Sequence, residues 1–143
     1  MVFGPASGSA VNGSSLIALI PARAGSVRVP GKNTRLLAGR PLLVYAILAA
    51  REAGIFRDIV VSSEDDSTLG IAKKWGAEPV YRPEWLAQSA SPDIGWINQV
   101  MKGREHEVFA IVRPTSPFRR GEWIVRAWRA LEARPEIDSL RAM

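Results

Sequence analysis

Short apolar runs alternate with stretches of helical period along most of the chain. Leu16 to Ile20 is a continuous apolar run closed by Pro21, the pattern of a parallel strand buried on both faces. Pro41 opens a stretch in which Leu42, Tyr45, Ala46, Ala49 and Ala53 recur at helical spacing, and Gly54 is placed to end it. Asp58 to Ser63, rich in Val and Ile, predicts a second strand. Ser63 or Asp65 is positioned to cap a helix over Asp66 to Trp75, which Gly76 stops. Glu78 to Tyr81 reads as a short third strand, and Arg82 to Ser91 as a polar loop. Pro92 starts a helix whose apolar positions are Ile94, Ile97 and Met101. Glu107 to Val112 predicts a fourth strand, ending at Arg113 and Pro114. Gly121 to Ala133 predicts a helix with Trp123, Ile124, Ala127, Trp128 and Leu131 inward and arginines outward. Asp138 to Ala142 begins a fifth strand.

Strands alternating with helices predict an α/β fold: a partial doubly wound, Rossmann-like parallel sheet with helices on both faces. No repeat or linker divides residues 16–143, which read as one nucleotide-binding unit. A strand that starts five residues before the end predicts a fold truncated at its C-terminal side. Met1 to Ser15 is small and flexible in composition, without a basic start or a long apolar centre. It predicts a disordered tail or expression remnant rather than a signal peptide.

Composition narrows the chemistry. Hydrophobic residues make up 47% and charged residues 23% of 143, ordinary for a globular domain. No apolar run reaches the ~18 residues needed to cross a bilayer, so the expected location is cytoplasmic, with no membrane partner. The absence of cysteine excludes disulfides, thiolate metal sites and cysteine nucleophiles. The single His106 cannot form a histidine cluster and reads as a solvated residue just before a strand. Nineteen Lys and Arg against 14 Asp and Glu give a net charge of +5, which suits an anionic partner such as a nucleotide. Much of the surplus falls on Arg119 to Arg134, one helix face, so charge alone is a poor argument for nucleic acid.

The richest segment follows the first strand: Pro21-Ala22-Arg23-Ala24-Gly25-Ser26-Val27-Arg28-Val29-Pro30-Gly31-Lys32-Asn33. In doubly wound sheets ligands bind outside the carboxyl ends of the strands, where this loop sits. Gly25 lets backbone N–H groups approach a phosphate closely. Arg23 can make a two-pronged contact with phosphate oxygens, and Lys32 adds a mobile point charge. The Walker pattern fails because Lys32 is followed by Asn33, and the dinucleotide glycine pattern is absent. On composition alone the loop is equally an ordinary glycine- and proline-rich turn.

This segment resembles the signature of the acylneuraminate cytidylyltransferases, which make CMP-activated sialic acids and relatives. Three further stretches match in order. Leu37-Ala-Gly-Arg-Pro-Leu-Leu-Val-Tyr45 resembles the shared stretch that opens the first helix. Arg82-Pro-Glu-Trp-Leu-Ala87 is similar to the family's element near the nucleotide base. Arg113-Pro-Thr-Ser-Pro-Phe-Arg119 is similar to its Gln-Pro-Thr-Ser-Pro-Leu-Arg stretch near the sugar.

The resemblance implies CMP transfer from CTP to an acidic nine-carbon sugar, with release of pyrophosphate and help from Mg2+. By it, Arg23 and Lys32 are catalytic and face the triphosphate, with Gly25, Ser26 and Asn33 nearby. Arg82 and Ser91 lie against cytosine, and Arg113, Thr115 and Ser116 face the sugar. Plainer roles stay open: Arg82 can pair with Glu84 or Asp93 on the surface, and Ser91 can cap the helix after Pro92. Three positions depart from the family. Val27 stands where lysine is usual, Arg113 where glutamine is, and Ser89 where aspartate is common. The family's Mg2+-holding aspartates and dimerising element fall downstream of the matched stretches. Glu64, Asp65, Asp66 and Asp93 read instead as helix-capping or dipole-compensating residues. Two alternatives follow: a nucleotide-binding fragment without turnover, and another nucleotidyltransferase, such as one for the eight-carbon sugar of lipopolysaccharide.

Overall fold

The computed structural model describes residues 1–5, 15–26 and 28–141. Val27, Ala142 and most of the segment read as a tail, residues 6–14, lie outside the described residues. The elements in order are β1 (Val2–Pro5), β2 (Leu16–Pro21), a 3-10 turn (Lys32–Thr34) and the hairpin β3 (Leu36–Leu37) and β4 (Arg40–Pro41). Then come α1 (Leu42–Ala53), β5 (Phe56–Ser63), α2 (Asp66–Lys74), β6 (Glu78–Tyr81) and the short α3 (Glu84–Ala87). The rest are α4 (Asp93–Met101), β7 (Val108–Ile111), α5 (Gly121–Glu132) and β8 (Leu140–Arg141).

Six strands form the main sheet in the order β6-β5-β2-β7-β1-β8. The first four run parallel, as the alternation of strands and helices predicts. β8 is the expected fifth strand and runs in the same direction as these four, whereas β1 corrects the sequence reading. Val2–Pro5 is a strand, antiparallel to both β7 and β8, and it separates them. The reason is burial: Phe3 is fully enclosed, its ring 5.9 Å from that of Trp128. A two-sided apolar pair at the very start of the chain fills an open edge of the sheet better than it sits in water.

Alternation along β2 divides the core. Leu16, Ala18 and Ile20 face Leu43 and Ile47 of α1, Ala72 of α2, and Ile124, Trp128 and Leu131 of α5. Ile17 and Leu19 face Leu86 of α3 and Trp96, Ile97 and Val100 of α4. Helices therefore cover both faces. Two helices are rotated from expectation. Ile124, Trp128 and Leu131 form the buried stripe of α5, which leaves Trp123 half exposed. Trp96, Ile97 and Val100 do the same in α4 and leave Ile94 outside.

Helix ends fix the loops. Asp65 caps α2, accepting from the Thr68 amide at 2.8 Å and from both the Thr68 and Ser67 hydroxyls at 2.7 Å. At the other side α5 starts against the end of α1. The Gly121 amide donates to Glu52 Oε2 at 2.8 Å, and a Cβ on Gly121 would lie 2.6 Å from the Ala53 nitrogen. His106, read as solvated, is buried, with Nε2 2.6 Å from Asp58 Oδ2.

Candidate functional site

The carboxyl ends of β2, β6 and β7 open on a cleft of about 290 Å³. β5 and β7 flank β2 on opposite sides, so the chain leaves β2 in both directions across the sheet. Such a reversal point is where open α/β sheets hold ligands. Arg23 and Lys32 line the cleft from the loop after β2, Arg82 from the end of β6, and Arg113 from the end of β7. Four cations from three strand ends thus converge on one concavity. Asn33, Ser91 and Thr115 also line it. Gly25, Ser26 and Ser116 do not; Gly25 borders a shallower depression beside Glu64.

Local geometry explains the placement. Gly31 takes a left-handed φ of 63° and turns the chain into the 3-10 turn that presents Lys32 and Asn33. The buried Asn33 donates from Nδ2 to the Arg23 carbonyl at 2.9 Å, closing the loop on itself. Arg23 Nη1 then reaches Ser89 Oγ at 3.2 Å. Ser91 does not cap α4; its hydroxyl donates to the Trp85 carbonyl at 2.9 Å. Two amides of the loop, that of Gly25 among them, already have an acceptor in this structure. Ala24 and Gly25 donate to Glu64 Oε1 at 2.8 and 3.3 Å.

Arg82 is the most unusual group. It is 3% exposed, yet among the described residues it forms no ion pair, with Glu84, Asp93 or any other carboxylate. Its Nε donates to Ser62 Oγ at 2.9 Å and its Nη2 to the Ser62 carbonyl at 3.2 Å. The guanidinium lies 4.6 Å from the centre of the Trp96 ring. Burial lowers its pKa from the usual value to about 10, Arg23 and Arg113 adding to the fall while Glu64 and Asp93 oppose it. A desolvated cation without a counter-ion is a prepared seat for an electron-rich ligand.

Asp93 has two tasks besides its place in the first turn of α4. It accepts from Trp96 Nε1 at 3.0 Å and pairs with Arg113 across the cleft. Arg119, its own charge disfavoured by burial, donates to the Arg113 carbonyl at 3.3 Å. Sequence reasoning missed Trp96 and Glu64. A tryptophan one position off the expected stripe was the only signal for the first, and the second was absorbed into the capping cluster. No group of three or more Asp, Glu or His able to hold a metal occurs among the described residues. No helix among them is long and apolar enough to cross a membrane.

Residues 17–140 match a family model described as cytidylyltransferase. The chain is 43% identical over 118 residues to a CMP-N,N'-diacetyllegionaminic acid synthase of Legionella pneumophila, covering 78% of this chain and 51% of that protein. It is 36% identical over 115 residues to an N-acylneuraminate cytidylyltransferase of Escherichia coli, covering 80% of this chain and 27% of that one. Among solved structures, a CMP:2-keto-3-deoxy-manno-octonic acid synthetase complexed with CTP superposes with a TM-score of 0.76 at 18% identity. That match covers 87% of this chain and 50% of the other. The chain spans about half the length of the first relative, and less of the second.

Proposed function

The chain belongs to the cytidylyltransferase family, and from that premise we propose that its cleft binds CTP for transfer of CMP to an acidic nine-carbon sugar. The observation that carries the reading is the convergence of Arg23, Lys32, Arg82 and Arg113, from three matched motifs at three strand ends, on one cleft. Arg23 and Lys32 serve the triphosphate. They offset charge that builds as the sugar hydroxyl attacks the α-phosphorus and pyrophosphate leaves. Arg82, packed over the Trp96 ring, offers its remaining donors to the acceptor edge of cytosine. Ser91, on the same wall, lies beside it. Arg113 and Thr115 face the sugar. The relatives' names, which specify legionaminic and neuraminic acids, support an acidic sugar for this chain too.

A divalent cation would supply charge neutralisation in such a reaction. A second reading is nucleotide binding without turnover. Calorimetry with CTP, ATP, GTP and UTP tests the first part. CTP is expected to bind at least tenfold more tightly than the others, and equal affinities would reduce the cleft to a generic phosphate site. Pyrophosphate release with CTP, Mg2+ and an acidic sugar separates the two readings. The 143-residue chain alone is expected to release little, and rapid release would remove the second.

A further inference from the structure

One carboxylate beside the cleft has no part in the reading above. Glu64 follows β5 directly and reaches across to the loop after β2. Its Oε1 accepts from the amides of both Ala24 and Gly25, while its Oε2 is buried without a hydrogen-bond partner among the described residues. The peptide units around Arg23 are held from several sides. Ala22 donates to the Ser62 carbonyl at 3.0 Å, and the Arg23 carbonyl accepts from Asn33. With Glu64 on the next two amides, the backbone at Arg23 is fixed, and with it the point from which the side chain enters the cleft. The same carboxylate is the strongest favourable charge acting on Arg82.

We propose that Glu64 is a positioning residue: it occupies the loop amides itself, so that phosphate is received by Arg23 and Lys32 and not by backbone N–H groups. The inference rests on the nucleotide reading of the cleft. A carboxylate in this position is a fixed internal acceptor. It costs the site one negative charge near the triphosphate and gains a rigid Arg23. The buried, unpartnered Oε2 shows that this carboxylate is held by what Oε1 does, since an orphaned oxygen is otherwise unfavourable.

Two measurements test it. In a double-mutant cycle on CTP affinity, Glu64→Ala should weaken binding about tenfold in the parent, the 1.4 kcal/mol of one decade. In an Arg23→Ala background it should have almost no further effect, because its action runs through Arg23. Glu64→Gln retains the acceptor and should restore binding to within a few fold of the parent. Additive losses, or Glu64→Ala binding CTP like the parent, overturn the inference and leave the nucleotide reading intact. The second measurement needs no destabilising variant. The amide resonances of Ala24 and Gly25 should shift in Glu64→Gln but stay nearly still when the parent is saturated with CTP. If CTP moves them strongly, phosphate takes these amides and the proposal is wrong. If the parent does not bind CTP at all, the reading of the cleft falls as well, and the inference with it.

Discussion

Replacing Arg82 by methionine should nearly abolish nucleotide selectivity while leaving the fold almost as stable as before. A pKa lowered to about 10 by burial means that the folded protein carries the charge at a penalty. At 1.36 kcal/mol per unit the penalty is at most about 3 kcal/mol, and water at the cleft mouth reduces it to about 1–3 kcal/mol. Because the folded pKa is the lower one, the penalty is fully present below pH ~10 and disappears only as pH rises above it toward the ordinary arginine value. Methionine removes it at any pH. Against this stand the lost cation–π contact, about 0.5–2 kcal/mol, and a bereaved Ser62 hydroxyl, about 1–3 kcal/mol. The Ser62 carbonyl keeps its bond from Ala22, and the thioether recovers some contact with Trp96. The net change should lie within about 1 kcal/mol, or a few degrees in Tm. CTP affinity should fall tenfold or more and the preference over UTP should shrink. Paired calorimetry and thermal melts decide it. A loss of more than 3 kcal/mol in stability with CTP affinity unchanged would make Arg82 a structural residue and refute the argument.

Arg23→Ala and Lys32→Ala should each weaken CTP binding ten- to a hundredfold, from about 1.5–3 kcal/mol per charge-assisted contact, with melting curves unchanged. Asp65→Ala should cost about 1 kcal/mol through the lost cap of α2. Hydrogen bonds from the Thr68 and Ser67 hydroxyls and then the Thr68 amide hold the Asp65 carboxyl below the ordinary carboxylate range. Its contribution should therefore be present above pH ~4 and vanish as pH falls through the lowered value, so parent and variant should converge in acid denaturation. Gly121→Ala should destabilise by about 1–3 kcal/mol in urea titration, because its Cβ meets the backbone of α1.

The parallel half of the sheet was legible because burial on both faces writes unbroken apolar runs such as Leu16 to Ile20. Helix ends at Pro41, Gly54 and Asp65 were legible because capping is local chemistry. β1 was not. Three or four residues beside an unpatterned stretch carry no period, and the partners that enclose Phe3, among them Ala110, Trp128 and Leu140, lie more than a hundred positions away. The same limit applied to the site. Arg23, Lys32, Arg82 and Arg113 could be named from their motifs, but the motifs do not say which side chains face one cleft. Gly25 and Ser26 lie in the strongest motif and still miss it, whereas Trp96 lies in none and forms its floor. Glu64 was the hardest to foresee, because its partners are backbone amides forty positions earlier, which leave no trace in residue type.

The position of β1 has a consequence for how the molecule is assembled. Its two partners, β7 and β8, lie more than a hundred residues further along the chain. The segment is synthesised well before either neighbour exists, so the sheet can be completed only after the intervening helices and strands are in place. Closing so long a loop adds little to the equilibrium cost, which grows only logarithmically, but it slows the search. Until it succeeds, β7 presents one unpaired edge and Val2 and Phe3 remain in water. A partly folded chain in that state can capture the same strand from a second copy as readily as its own. Refolding yield should therefore fall with protein concentration, and deletion of residues 1–5 should worsen it while leaving the cleft at the other strands' ends untouched.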